Sequence, residues 1–360
     1  MIIAAQHKIN IPIKKILVIQ LGDIGDVVWM IPALRAIKKN HPQAQIMIFT
    51  RYPNADVLLD DPSIAGIFYV RPEKRIQDSL LSSSSLIYRL RREKFDLVID
   101  LRADDRGAIT SFLTGAPLRA ALLYPGLTWR NRLFTHLVNP EPAKERVLGA
   151  AEQSLKIIRG LGIKEETSVP QIIVSAESEQ KVRQIIASEK IAAKNGWVSI
   201  NPFSRWSYKE WGMDKWQYLS HLIWQKYEMP IVICGSAEER ERAERLVKRS
   251  QSPVYSLAGK ISLREMPGLL KLSRLHIGVD SAAPHIAAAV GTPTVTIYGP
   301  SDWRDWAPPG EKNKVVFPDM DCSPCYKKGC DGNGRSLCLE QIDVNQVLKV
   351  VEEIFDKEFV

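Results

Sequence analysis

Lys15-Ile16-Leu17-Val18-Ile19-Gln20-Leu21-Gly22-Asp23-Ile24-Gly25-Asp26 is the stretch on which the fold reading turns. Its first six residues are β-rich and mostly apolar, which suits a strand buried on both faces of a parallel sheet. A turn with Gly22 and Gly25 follows, then an apolar-periodic helix to about Lys39. Strand, tight turn and helix open a βαβ unit, and the theme recurs. Ile46–Thr50, Gly66–Val70 and Phe95–Asp100 read as further strands, with a helix over Leu86–Glu93. A second series begins after Pro170. There Trp197–Ile200, Pro230–Cys234, Val254–Leu257, Leu275–Val279 and Thr294–Ile297 read as strands, and helices fall near Asp214–Tyr227, Glu238–Arg249, Leu263–Lys271 and Ala283–Ala289. Thr167–Gln171 makes a linker, and Asp343 caps a final amphipathic helix to Phe355. The expected class is α/β: two doubly wound domains, residues 1–170 and 171–342, facing across a cleft, with a helix over 343–360 packing back toward the first.

A chain of 360 residues with 45% apolar and 25% charged residues is ordinary globular material, so wholesale disorder and a small stapled scaffold are excluded. The formal charge of +8 is lopsided: residues 1–170 hold 24 Lys and Arg against 17 Asp and Glu, and the remainder 25 against 24. The two halves are built to meet different ligands, the basic one an acidic partner. Met1–Ile13 lacks the apolar core and small-residue end of a secretory leader, and no run approaches the ~18 apolar residues of a membrane span. Of five cysteines, Cys234 stands alone and four cluster late, which points to a reducing cytoplasm rather than a disulfide framework.

Open α/β sheets take ligands beyond the carboxyl ends of their strands. Four segments lie at or near such ends. Gly22-Asp23-Ile24-Gly25-Asp26 does not match the dinucleotide fingerprint, and its aspartates repel phosphate; Asp26 is either an ionised base or a helix cap. Asp280-Ser281-Ala282-Ala283-Pro284-His285 offers small residues at a helix start, suited to a diphosphate, with Asp280 able to accept a sugar hydroxyl. His285 is either directed to the cleft or a buried histidine. Ser204, Arg205 and Lys209 could clamp an anion, against the alternative of a solvated basic loop anchored by Trp206 and Trp211. Cys322, Cys325, Cys330 and Cys338 admit a zinc loop or plain structural thiols, since only one CxxC pair is present.

Taken together these segments resemble glycosyltransferase family 9, the bacterial ADP-heptose:lipopolysaccharide heptosyltransferases. The resemblance is carried by Gly25-Asp26-Val27-Val28, Pro32-Ala33-Leu34, Asp96-Leu97-Val98-Ile99-Asp100-Leu101, Lys209-Glu210-Trp211, Gly278-Val279-Asp280-Ser281, His285-Ile286-Ala287-Ala288-Ala289, Gly299-Pro300-Ser301 and Cys322-Ser323-Pro324-Cys325. Asp105-Arg106-Gly107-Ala108 with Leu113-Thr114-Gly115-Ala116 is similar to the heptosyltransferase III branch.

The resemblance implies a GT-B fold of two Rossmann-like domains and an inverting transfer that needs no metal or other cofactor, with ADP-heptose as donor. Asp26 falls at the general base. Ser204, Arg205, Lys209, Asp280, Ser281, Ala282 and His285 fall in the donor site. Ile261 falls at the adenine, and Glu238 at the ribose, where the loop aligns uncertainly by one position. Gly25, Arg102 and Arg106 fall on the side of the acceptor, an anionic lipid A–core. Arg71, Lys74, Arg75, Arg130 and Arg132 are further basic candidates, of which Arg71, Lys74 and Arg75 also read as a solvated face. Such an enzyme is expected in the cytoplasm, peripheral at the inner membrane surface. A nucleotide-sugar epimerase or another GT-B transferase is the alternative. A nucleic-acid binder would exploit the charge, but no nucleic-acid-binding signature appears.

Overall fold

The structure is a computed structural model and describes residues 2–3, 12–71, 76–102, 104–126, 128–139, 151–330, 332 and 334–358. The chain divides between Gln171 and Ile172 into two compact units.

The first unit runs β1 (Ile2–Ile3), β2 (Lys15–Gln20), α1 (Ile24–Trp29), α2 (Ile31–Asn40), β3 (Gln45–Arg51), β4 (Ile64–Val70), α3 (Ile76–Arg92) and β5 (Leu97–Asp100). It continues with α4 (Asp105–Leu113), β6 (Leu118–Leu122), α5 (Thr128–Asn131), β7 (His136–Val138) and α6 (Ala151–Gly160). Its strands form one seven-stranded sheet in the order β1-β7-β6-β5-β2-β3-β4, parallel throughout. Ile16 to Ile19 of β2 are buried, as a strand covered by helices on both faces requires. Leu17, Ile19, Phe49, Phe68, Leu90, Phe95 and Val98 pack as one core on one side of the sheet.

The second unit runs α7 (Ala176–Ser188), β8 (Val198–Asn201), α8 (Met213–Tyr227), β9 (Ile231–Ile233), α9 (Arg240–Arg249), β10 (Val254–Ser256) and α10 (Met266–Lys271). Then come β11 (Leu275–Val279), α11 (Ala282–Ala289), β12 (Thr294–Ile297), α12 (Trp303–Trp306), β13 (Asn313–Val316), α13 (Leu337–Gln341) and α14 (Val344–Glu358). Its six strands, all parallel, lie in the order β10-β9-β8-β11-β12-β13.

The last helix packs within the second unit. Val347, Val351, Ile354 and Phe355 of α14 are buried in the second unit's core, packed with α8, β12 and β13, and the Phe355 ring sits 4.6 Å from that of Tyr227. An amphipathic helix settles its apolar stripe on the nearest apolar surface, and here its own unit supplies it. Asp343 caps it, Oδ1 accepting the Asn345 N–H at 2.7 Å. No helix among the described residues is long and apolar enough to cross a membrane.

Strand order places the ligand-binding ends. In the first sheet β2 lies between β5 and β3, and in the second β8 lies between β9 and β11. At each point the connections depart in opposite directions, leaving a crevice beyond the carboxyl end of the central strand.

Candidate active site

The first cluster sits beyond β2. The chain leaves Gln20, turns through Gly22 and enters α1, whose N-cap is Asp23. Asp26, in the first turn, folds back so that its Oδ2 accepts the Asp23 N–H at 2.8 Å. The turn is shaped for that carboxylate: a β-carbon on Gly22 would lie 2.1 Å from Oδ2. Arg102, two residues past the end of β5, donates from Nη1 to the same oxygen at 3.2 Å. Both hydrogen bonds of the Asp26 side chain among the described residues therefore fall on Oδ2. Burial pushes the Asp26 carboxyl up from its ordinary range, and the Asp23 N–H and the Arg102 guanidinium oppose that rise. The helix-cap reading of Asp26 is seen directly, with Oδ2 closing the helix end.

Arg102 is positioned by Asp100, a fully buried carboxylate whose Oδ1 accepts the Arg102 N–H at 3.1 Å. Gly25 is the residue before Asp26 in α1, and Arg106 stands exposed in the first turn of α4. Arg71 lies over the Tyr52 ring at 4.3 Å, away from these groups in the chain, and Lys74 and Arg75 fall outside the described residues. Arg130 reaches Asp105 at 2.9 Å.

The second cluster gathers beyond β8 and β11. Lys209 Nζ lies 2.6 Å from Asp280 Oδ2, and both side chains are largely buried. Sequence analysis assigned these two separate roles, but the structure makes them a pair. Ser204 Oγ lies 3.5 Å from the Asp280 carbonyl, and Ser281 Oγ donates to Asn201 Oδ1 at 3.1 Å. The start of α11 is thus tied to the end of β8. Ala282 opens that helix, and His285 lies one turn in, buried. Burial pushes the His285 imidazole down to about 4, with Asp280 opposing and Lys209 assisting, so it is neutral near pH 7.

Consecutive residues pin the loop that carries Ser204. Lys209 is held by Asp280; Glu210 accepts the Ser204 N–H at 3.0 Å and pairs through both oxygens with Arg242. Trp211 is buried, its indole N–H donating to the Ile342 carbonyl at 3.0 Å. Arg205 lies elsewhere, over the exposed Trp206 ring at 5.4 Å.

Beyond β9 and β10 lies the loop on which the ribose carboxylate is expected. Glu238 is exposed, whereas its neighbour Glu239 tucks back over the strand end, where Oε2 accepts the Ser236 N–H at 2.7 Å. A β-carbon on Gly235 would lie 2.6 Å from that oxygen. Burial pushes the Glu239 carboxyl up. Gly235 accepts the Gly259 N–H at 3.1 Å, joining this loop to the one that carries the nearly buried Ile261.

Glu239 and Arg242 went unnoticed in the sequence, and Glu210, Asn201 and Asp100 drew no role there. Only Glu239 carried a usable signal, because Gly235 and Glu239 repeat the spacing of Gly22 and Asp26. The zinc reading of the late cysteines finds no support. Among the described residues no three metal-ligating side chains come together, and Cys330 Sγ instead accepts the Leu337 N–H at 3.3 Å.

Comparison with known proteins fits this geometry. The family model of glycosyltransferase family 9 (heptosyltransferase) matches residues 83–334. Lipopolysaccharide heptosyltransferase 3 of Escherichia coli is 27% identical over 292 residues, 79% of this chain and 84% of that protein. Among solved structures, a family 9 glycosyl transferase from Veillonella parvula DSM 2008 superposes with a TM-score of 0.80 at 20% identity, covering 97% of this chain and 99% of that one. Escherichia coli ADP-heptose lps heptosyltransferase II superposes at 0.78 with 20% identity, covering 96% and 100%. The shared fold is GT-B. The matched span takes in well over half of the chain, including the Lys209–Asp280 pair and the loops beyond β9 and β10; the chain belongs to glycosyltransferase family 9 and is a glycosyltransferase.

Proposed function

We propose that this protein transfers a heptose from ADP-heptose to the inner core of a lipopolysaccharide acceptor, with inversion at the anomeric carbon and with Asp26 as general base. The observation that carries the reading is the commitment of Asp26 Oδ2 to Asp23 and Arg102. Oδ1 is left to take the proton of the acceptor hydroxyl, and a base needs only to be ionised and about 3 Å from that proton's oxygen. As the hydroxyl oxygen bonds to the anomeric carbon, the bond from that carbon to the β-phosphate oxygen breaks and its electron pair leaves with ADP. A single displacement of this kind inverts the centre.

The second unit holds the donor. Lys209 and the amino end of α11 at Ser281 offset the charge that grows on the departing diphosphate. Asp280, held by Lys209, is left to accept sugar hydroxyls, and Glu239 with the Ile261 loop serves the nucleoside. The mechanism assigns no step to a metal ion, so chelation is expected to leave the rate unchanged. Relatives whose names specify lipopolysaccharide and ADP-heptose support this choice of substrates.

Incubation with ADP-heptose and truncated core acceptors, read by mass spectrometry, is expected to show addition of one heptose. Asp26→Asn is expected to remove turnover while ADP still binds. Near-normal turnover of that variant would return Asp26 to a capping role alone, and turnover of donor without acceptor would favour an epimerase.

A further inference from the structure

Helix α4 is turned inside out. It buries Thr110 and Ser111, at 5% and 0% exposure, and turns Ile109 and Phe112 outward at 46% and 51%. Arg106, Ile109 and Phe112 follow at intervals of three, so they share one outward stripe. A surface helix settles on its sheet with its apolar stripe inward. This one meets its sheet through small and hydroxyl side chains and presents apolar ones to the surroundings.

The stripe continues onto both neighbours. Toward α5, Arg130 bonds Asp105 at 2.9 Å and lies 5.9 Å from the ring of Trp129, itself 47% exposed. Toward α3, the Arg91 guanidinium comes within 3.7 Å of where a β-carbon on Gly115 would stand, and Arg92 lies over the 62%-exposed ring of Tyr88. Arg119 covers the Phe112 ring at 5.6 Å. Among the described residues, the acidic side chains at the start of α4 are engaged: Asp105 by Arg130, and Asp104 by the Gly107 N–H at 2.8 Å. Tyr88, Ile109, Phe112 and Trp129 remain exposed, with arginines beside the three rings.

We infer that the α3–α4–α5 face is the surface by which the protein adsorbs to an anionic lipid bilayer. Exposed aromatic and aliphatic side chains, with a guanidinium group beside each of the Tyr88, Phe112 and Trp129 rings, suit the boundary between acyl chains and negative headgroups. A second copy of the chain is a poorer occupant, because a two-fold contact would set arginines against arginines. The inference rests on the proposed acceptor only in that α4 follows directly from Arg102, which would bring a lipid-linked acceptor to the base.

The test uses the full chain, with neither donor nor acceptor, and sedimentation with phosphatidylcholine vesicles with or without one-third phosphatidylglycerol. The protein is expected to sediment with the anionic vesicles and to be released by high salt. Combined Ile109→Ser, Phe112→Ser and Trp129→Ser, all exposed and so harmless to the melting temperature, are expected to weaken partitioning roughly tenfold or more, as are Arg91→Glu with Arg92→Glu. The triple variant should also keep its rate on a delipidated, water-soluble acceptor and lose it on a vesicle-embedded one. Equal binding to both vesicle types, or variants that bind like the parent, would overturn the inference. So would a parent that self-associates in ultracentrifugation, ignores vesicles and becomes monomeric on triple substitution. Vesicle binding with no heptose transfer to any acceptor would keep the surface and refute the proposed reaction.

Discussion

Asp26 Oδ2 occupies the space that a β-carbon on Gly22 would need, 2.1 Å away. The Asp26 carboxylate and the turn beneath it are therefore one device, because a side chain at position 22 would displace that carboxylate. The second unit repeats the device, with Gly235 under Glu239 and the Ser236 N–H donating to Glu239 as the Asp23 N–H donates to Asp26. Gly22→Ala is expected to expel the Asp26 carboxylate and lower kcat on the order of a hundredfold, the scale on which a mispositioned catalytic group acts. ADP affinity should stay within about twofold, since the donor groups lie in the other unit. Steady-state kinetics beside calorimetric ADP titration checks this, and retained kcat would show that the carboxylate tolerates displacement.

Arg102, expected on the acceptor side, donates to Asp26 Oδ2 at 3.2 Å. Burial raises the Asp26 carboxyl and Arg102 pulls it down. The proposed mechanism needs the ionised form, so the rate is expected to fall on the acid side as Asp26 takes a proton. Arg102→Met removes the opposing charge, and the acid limb of kcat/KM is expected to move to higher pH. A limb that stays in place would leave Arg102 with no influence on the base.

The same shift has a consequence for stability. A carboxyl raised in the folded state binds its proton more tightly there than in the unfolded chain, so folding loses stability as pH climbs through that range. Asp26→Asn, which keeps the hydrogen-bonding shape without the charge, should therefore melt somewhat higher at pH 7 while being inactive. Calorimetry across pH 5 to 8 checks the sign, and a lower melting temperature at neutral pH would contradict it.

Much of this was legible before any coordinates. Buried parallel strands announce themselves as short Val, Ile and Leu runs, so β2, β3, β4, β5, β8, β9, β10, β11 and β12 could be read directly, and with them the positions of Asp26 and Asp280. β6 and β7 escaped notice because Leu118-Arg119-Ala120-Ala121-Leu122 and the three residues of β7 are too mixed or too short to show a period. The Lys209–Asp280 pair escaped because 71 positions separate its members. Glu239, one residue past Glu238, drew no reading, since propensity does not locate a helix start to within a residue and the tucked carboxylate depends on that start. The inverted face of α4 was hidden by an assumption, that apolar residues at helical spacing point inward.

Lys209 and Asp280 should respond unequally to substitution. Lys209→Met leaves a largely buried carboxylate beside the diphosphate, adding repulsion to the loss of a cation, whereas Asp280→Asn leaves the cation in place. We expect ADP affinity to fall tenfold or more in the first and to change little in the second, a difference of about 1.4 kcal/mol or more. Calorimetric titration of both variants decides it. Equal losses would mean that the pair acts only as a brace for the loop.

Glu210 is expected to govern donor binding without touching the donor. It fixes the Ser204 N–H and is itself fixed by Arg242, whose guanidinium covers Phe203 at 4.7 Å. Glu210→Gln should raise donor KM several-fold with kcat nearly unchanged, and Arg242→Met should do the same. Because both act through one contact, the double variant should be little worse than either single one, a coupling of roughly 1 kcal/mol or more. Additive effects would show that the two residues hold the loop independently.

Two buried histidines set an acid limit on the fold. His276 and His285 are pushed down by burial to about 3 and about 4. In the unfolded chain an imidazole takes its proton near pH 6.5, so stability from these groups is complete above that value and is lost as pH falls toward the folded ones. For His285 alone the loss between pH 7 and pH 5 is on the order of 2 kcal/mol. His285→Gln, which keeps a neutral hydrogen-bonding side chain, should flatten the fall in melting temperature over that interval even if it is less stable at pH 7. Urea unfolding at the two pH values measures the difference. An undiminished acid slope in the variant would place the titrating group elsewhere, and a rate limb near pH 6.5 that vanished with it would show that His285 carries a proton during turnover after all.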